Sequence, residues 1–411
     1  MRRRTVRDSL RTLALAVLAA VPGPAAADAA ASSPARACGG CEFEETGGEE
    51  RGGPAGLLGR LDENGIVPEA HLAWDSSRVV DGGVRERWTS RWLLQVGASF
   101  DLDELAGWKG GTFYAGFHVH RGRDGSLDAG DIQAYSNIDA DRFTEVDELW
   151  LEQELLDGRL RLKVGRVDAN SEFACLEAAG DFLNSSAGFS PTILALPTYP
   201  DPEPGVNVFV KVSPRVSVGA GVYRSPLARR TLTLTPDERF AIAEVKVRWE
   251  AGGGGVLGVG GWHETGTLER FDGGVEDGTS GAYAVLEQRL WAAGGTDEEP
   301  VRALTLFAQY GSADEDVGEF GHHYGIGLLW KAPLPGRPGD VAGLMVSRVD
   351  LSDVPAAGFP EDETAWEAFW SFELAPWLHL QPDVQYIQHP SGGADGVDDA
   401  LVGTLRVLVD F

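Results

Sequence analysis

Residues 148–166, "ELWLEQELLDGRLRLKVGR", read as two strands folded about Asp157-Gly158. Leu149, Leu151 and Leu155 stand on one face before the turn, with Leu160, Leu162 and Val164 after it. The opposite face carries Glu148, Trp150, Glu152 and Glu154, then Arg159, Arg161 and Lys163. A period of two with one dry and one wet face is a strand pattern, and Asp-Gly is a strong hairpin signal. The fold turns on what the dry face touches.

The same pattern fills the chain. About sixteen short alternating segments follow one another from residue 68 to residue 411, separated by Gly, Pro, Asp and Asn. Over 92–100, Trp92, Leu94, Val96, Ala98 and Phe100 oppose Arg91, Gln95 and Ser99. Over 241–249, Ala243, Val245, Val247 and Trp249 oppose Glu244, Lys246 and Arg248. Over 364–374, Trp366, Ala368, Trp370, Phe372 and Leu374 oppose Glu367, Ser371 and Glu373. Connections alternate as well. Short turns such as Asp157-Gly158, Ser213-Pro214 and the "GGGG" of 252–255 follow the even segments. Longer stretches, 122–143, 168–205, 224–240, 265–279 and 388–399, follow the odd ones. Turns at one rim and loops at the other describe an up-and-down outer-membrane barrel. A Greek-key sandwich does not keep that parity.

The amino-terminal segment fits export. Arg2, Arg3, Arg4, Arg7 and Arg11 flank "TLALAVLAAV" (12–21), and small residues lead to a cleavage signal near Ala25–Ala27, so 1–27 read as a signal peptide. Residues 28–56, rich in Ala, Gly, Glu and Ser, read as a flexible periplasmic leader, and 57–66 as one short helix at the head of a barrel unit spanning 57–411. Net charge is −28, or −32 without the signal segment, which argues against nucleic acid as a partner. Cys38 and Cys41 ("CGGC") suit a local disulfide better than half a zinc site, and Cys175 has no evident partner. His118 and His120 share a strand face without a third ligand, so they read as polar lumen residues. The "GGGG" run lacks the Lys-Ser/Thr and the helix of a P-loop and reads as a turn.

Aromatics near strand ends (Trp92, Phe100, Trp249, Trp366, Tyr386) and a final strand, "LVGTLRVLVDF", closing on Phe411 resemble the girdles and the ending of bacterial outer-membrane barrels. The dry face is therefore expected to touch lipid. A Lys or Arg turned to mid-bilayer costs about 2–4 kcal/mol, so the strand charges are expected to face a wet lumen.

From about Leu57 to Phe411 the chain resembles the carbohydrate-selective porins of the OprB type. The matching stretches are "FDLDELAGWKGGTFYAGFHVHRG" (100–122), "GDIQAYSNIDA" (130–140), "ELWLEQELLDGRLRLKVGRVDANSEFA" (148–174), "FLNSSAGFSP" (182–191), "LPTYPDPEPGVNVFVK" (196–211) and "LQPDVQYIQHPSGG" (380–393). The resemblance implies an all-β, sixteen-stranded outer-membrane barrel. It implies passive diffusion of sugars, glucose above all, through a pore narrowed by inward-folded loops, and no cofactor.

The longest connection, 168–205, carries Asn170, Glu172, Asn184, Ser185 and Ser186 and a Pro-stiffened tail, and is expected to narrow the mouth. Arg91, Glu152, Arg159, Arg161, Lys163, Arg166, Asp168 and Asn170 are the candidate lumen or constriction residues, with Trp150 offering an apolar face to a sugar ring. The alternative for each charge is simple balance with its cross-strand neighbour. The runner-up function is a general porin for ions or small acids. A barrel enzyme would need a nucleophile-base motif in context, and none is recognisable. A plugged adhesive barrel is a third class.

Overall fold

The computed structural model describes residues 61, 64–227, 238–296 and 300–410. The signal peptide, the leader, Cys38, Cys41, Phe411 and most of the short helix of 57–66 lie outside the described residues. Sixteen strands follow in order. The first eight are β1 (Ile66–Asp81), β2 (Trp88–Asp101), β3 (Gly111–Gly122), β4 (Phe143–Leu155), β5 (Leu160–Val167), β6 (Glu203–Ser213), β7 (Val216–Arg224) and β8 (Arg239–Trp249). The rest are β9 (Gly255–Glu269), β10 (Val275–Gly295), β11 (Pro300–Ala313), β12 (Phe320–Lys331), β13 (Val341–Leu351), β14 (Glu363–Ala375), β15 (Leu378–Gln388) and β16 (Ala400–Asp410). Each pairs antiparallel with its neighbours in the chain, and β1 pairs with β16 to close the barrel.

Alternation sorts the side chains. Val245, Val247, Ile326, Leu344 and Val384 are exposed on the outer wall, whereas Glu244, Lys246, Glu367 and Gln385 are buried inside. The outward positions are apolar because every second residue of each strand is apolar, and the pleat carries the intervening polar residues inward.

Turn chemistry explains the tight rim. Leu156 and Asp157 have φ of 56° and Gly158 of 73°, so four residues, 156–159, reverse the chain between β4 and β5. Gly253 and Gly254, at φ of 95° and 88°, turn β8 into β9; a Cβ on Gly253 would lie 2.7 Å from the Arg289 carbonyl oxygen. Asp101 caps a one-turn helix, Leu102–Ala106, by accepting the backbone N–H groups of Asp103 and Glu104.

One connection departs from expectation. The stretch 265–279 is not a long loop: β9 runs on to Glu269 and β10 starts at Val275, which leaves only 270–274 between them. Its glycines read as loop, but Thr267 and Val275 take places in the ladder, and Gly278 absorbs a register shift at φ of 81°.

Candidate pore constriction

The barrel interior is not an empty tube. The connection from β5 to β6, residues 168–202, folds inward and lays Phe173, Leu176, Phe182, Ile193 and Leu196 against wall residues Tyr223, Phe240, Trp262, Phe307 and Phe369. Phe182 meets Phe307 and Phe369 edge-on, with ring centroids 5.3 and 4.9 Å apart. Each such ring contributes about 1.5–3 kcal/mol of burial, so the apolar core sits between loop and wall.

A buried loop must also satisfy its own backbone. Wall carboxylates do this. Glu244 accepts the Ala174 N–H at 3.0 Å, Glu287 that of Ala178 at 2.5 Å, and Glu367 those of Leu183 and Asn184 at 2.6 and 2.9 Å. Gln309 donates to the carbonyls of Ser186 and Ala187. Cys175, in this loop, is disulfide-bonded, so the reading that gave it no partner is corrected: the other cysteines of the sequence lie more than 130 positions away, beyond any local pattern.

A second loop, 123–142, also enters the barrel, and no alternation or turn signal foretold its direction. Its Ile132 and Gln133 N–H groups donate to Glu363, and its Asn137 N–H reaches the Leu183 carbonyl at 2.6 Å. Ser185 N–H returns a bond to the Ala134 carbonyl at 2.9 Å, so the two loops brace each other. Burial, and then the neighbouring Glu363, push the Asp131 carboxyl of this loop above the usual carboxylate range.

Two ion clusters lie beneath the loops. Arg161 donates to Glu152 at 2.7 Å and to Glu172 at 3.1 and 2.7 Å, while its guanidinium lies over Phe209. Lys163 lies 2.5 Å from Glu172 and 3.2 Å from Glu152. Burial disfavours the Glu172 carboxylate, but Lys163 and Arg161 outweigh it and lower its pKa to about 2. In the second cluster Arg91 lies 2.6 Å from Asp139 and over the Tyr135 ring, and Arg406 holds Asp75 with bonds of 2.7 and 2.8 Å. Burial raises the Tyr135 pKa to about 12 against the pull of Arg91.

The candidate residues therefore divide. Arg91, Glu152, Arg161 and Lys163 are inside, held in these clusters. Arg159 does not join them: it sits exposed in the 156–159 turn, because the turn takes four residues and β5 starts one residue later than the hairpin pattern suggested. Arg166 reaches Glu145 at 3.6 Å, and its side chain remains 28% exposed. Asp168 donates its N–H to Glu148 and caps Asn170 N–H, and Asn170 donates to the carbonyls of Phe173 and Gly188. Trp150 is engaged within the wall: Tyr114 stacks on it at 5.2 Å and the Lys163 ammonium lies 4.0 Å from its ring centre. Beside Glu145, His118, Phe143 and Tyr199 form a ring cluster with centroids 4.4–6.0 Å apart. Among the described residues no group of three His, Cys, Asp or Glu is placed to hold a metal ion.

A closed sixteen-stranded barrel with an apolar exterior, a charged interior and inward-folded loops is the architecture of a porin. The comparisons narrow the class. The family model "Carbohydrate-selective porin, OprB family" matches residues 91–411, and the chain belongs to that family. Porin B of Pseudomonas aeruginosa is 24% identical, over 85% of this chain and 88% of the relative. A putative porin, QuiX, of Acinetobacter baylyi is 22% identical, over 86% and 90%. A high-pH structure of Pseudomonas putida OprB superposes with a TM-score of 0.76 at 21% identity, covering 86% of this chain and 96% of that one. The chain is thus an outer-membrane, carbohydrate-selective porin, a transport channel.

Proposed function

We propose that sugars cross by passive diffusion through a wet passage between the wall of β2–β5 and the two inward loops. Glu145, Arg166, Asp168, Asn170 and the rings of Phe143 and Tyr199 would meet the solute there. The observation that carries this reading is the contrast in engagement. Arg161 and Lys163 are buried and hold two carboxylates each, so they anchor the loop. Arg166 and Glu145 are about a quarter exposed and only 3.6 Å apart, which leaves their polar groups open to hydroxyls. A sugar offers both donors and acceptors, and a mixed acid–base pair beside aromatic rings answers both the hydroxyls and the apolar ring face. We further propose that the outward apolar wall contacts outer-membrane lipid.

Single-channel conductance in a planar bilayer tests the reading. Glucose should reduce conductance saturably, and Arg166→Gln should weaken that block by about tenfold, the worth of one charge-assisted hydrogen bond. Conductance indifferent to every sugar would put the passage elsewhere or make it unselective.

A further inference from the structure

Cys175 is disulfide-bonded and buried in the inward loop. The sequence holds two other cysteines, Cys38 and Cys41, and both stand ahead of β1, outside the described residues. Where Cys175 sits decides which end of the barrel can bring it to them. The loop does not stop at mid-height. The Ala174 N–H is held by Glu244, midway along β8, and the Ala178 N–H by Glu287. Glu287 stands in register with Val256, the second residue of β9, just past the Gly254 turn. The Asp181 carbonyl accepts the Gln381 side-chain amide at 2.8 Å, close to the start of β15 at Leu378. Val256 and Leu378 both lie at the short-turn rim, which is the periplasmic side of such a barrel. Residues 174–181 thus run from the middle of the wall toward that rim. The chain enters the barrel at the same rim. Ile66 opens β1 opposite Phe100, and the Gly65 carbonyl accepts the Asp101 N–H at 2.8 Å. Cys41 precedes Gly65 by 24 positions. At ~3.3 Å per extended residue that stretch reaches about 80 Å, well beyond the ~30 Å thickness of a bilayer core.

We propose that Cys175 is joined to one cysteine of the Cys38-Gly-Gly-Cys41 pair, and that this bond fastens the inward loop to the leader at the periplasmic mouth. The competing arrangement, a local bond between Cys38 and Cys41, leaves Cys175 a thiol. Forming the bond takes two protons and two electrons from two thiols, and a disulfide-bearing oxidase of the periplasm is the acceptor. The bond adds what the other anchors lack. Glu244, Glu287 and Glu367 hold the loop by hydrogen bonds, each of which can open singly. A disulfide to the leader closes a ring of more than 130 residues that takes in β1 to β5, and it restrains loop and leader together. The inference rests on the barrel and its inward loop and is independent of which solute the pore carries.

The experiment is a disulfide map of the full chain, extracted from outer membranes with free thiols alkylated and digested with trypsin without reductant. Cleavage after Arg36, Arg51, Arg166 and Lys211 leaves the three cysteines on two peptides, 37–51 and 167–211. The expected product is 37–51 bonded to 167–211, lost on reduction and absent from Cys175→Ser. On a denaturing gel the unreduced chain should run faster than the reduced one, because a closed ring of that length compacts the unfolded chain. A bond spanning only two glycines would give no such shift. In single-channel records the open-channel noise should rise when a small phosphine reductant is added. An internal bond within 37–51 with Cys175 alkylated overturns the proposal, as does alkylation of all three cysteines. The linked peptide found only in a species of twice the chain's mass also overturns it, by placing the bond between copies. A linked peptide with noise indifferent to reductant overturns the fastening role alone. If Cys175→Ser fails to fold, the wild-type map and gel shift still decide the bond.

Discussion

Glu172 holds two cations of β5 at once, and its removal should be felt in both. Glu172→Gln leaves Arg161 and Lys163 buried with only Glu152 between them, and breaking a buried charge group from one side costs about 3–5 kcal/mol. Unfolding by denaturant in detergent, followed by tryptophan fluorescence, should show a loss of that order. The pH dependence has a definite sign. The Glu172 pKa falls from an ordinary 4.5 to about 2 in the folded barrel, so its contribution is complete above about pH 4.5. It disappears as pH falls toward 2. Titrating stability across that window should give a slope in the wild type that is missing in Glu172→Gln. A slope unchanged by the substitution would show that other carboxylates control acid stability.

The inward loop is an element without regular structure of its own, and wall side chains supply the partners a sheet would otherwise provide. Glu367 serves Leu183 with one carboxylate oxygen and Asn184 with the other. Glu367→Gln keeps one acceptor and turns an NH₂ toward the second N–H, a mismatch worth about 1–3 kcal/mol. The expected outcome is a barrel of near-normal stability whose open-channel current is noisier, measured in single-channel records. The sequence puts Glu367 on the polar face of its segment, and only the barrel shows it opposite Gln385 and Met345, with no base in register and its partners in the loop. The 123–142 loop gave no hint of its direction, because its anchors on Glu363 and Arg91 depend on which distant strands the closed barrel brings beneath it.

For the whole molecule, the exterior sets the penalty for a misplaced charge. Ile326 lies mid-strand in β12, facing outward, and Ile326→Arg should cost about 2–4 kcal/mol of folding in a bilayer. The heat-dependent gel shift of the folded barrel, titrated with urea in lipid, should register it. An unaffected Ile326→Arg would place this belt in water and contradict the lipid-facing wall.

The chain's own pattern determined the strands, their two faces, the turn rim and the closure of β16 on β1, because a period of two and short turns act between residues close in sequence or in register. Only the closed barrel decided which interior charges meet. Arg161 stands in register with Glu154 yet bonds Glu152 and Glu172, and the Ile132 N–H finds Glu363 across 231 positions. Such partners are chosen by burial. A charge or backbone amide shut away from water must take whatever complement the fold places within reach, and no local spacing records where that complement will be.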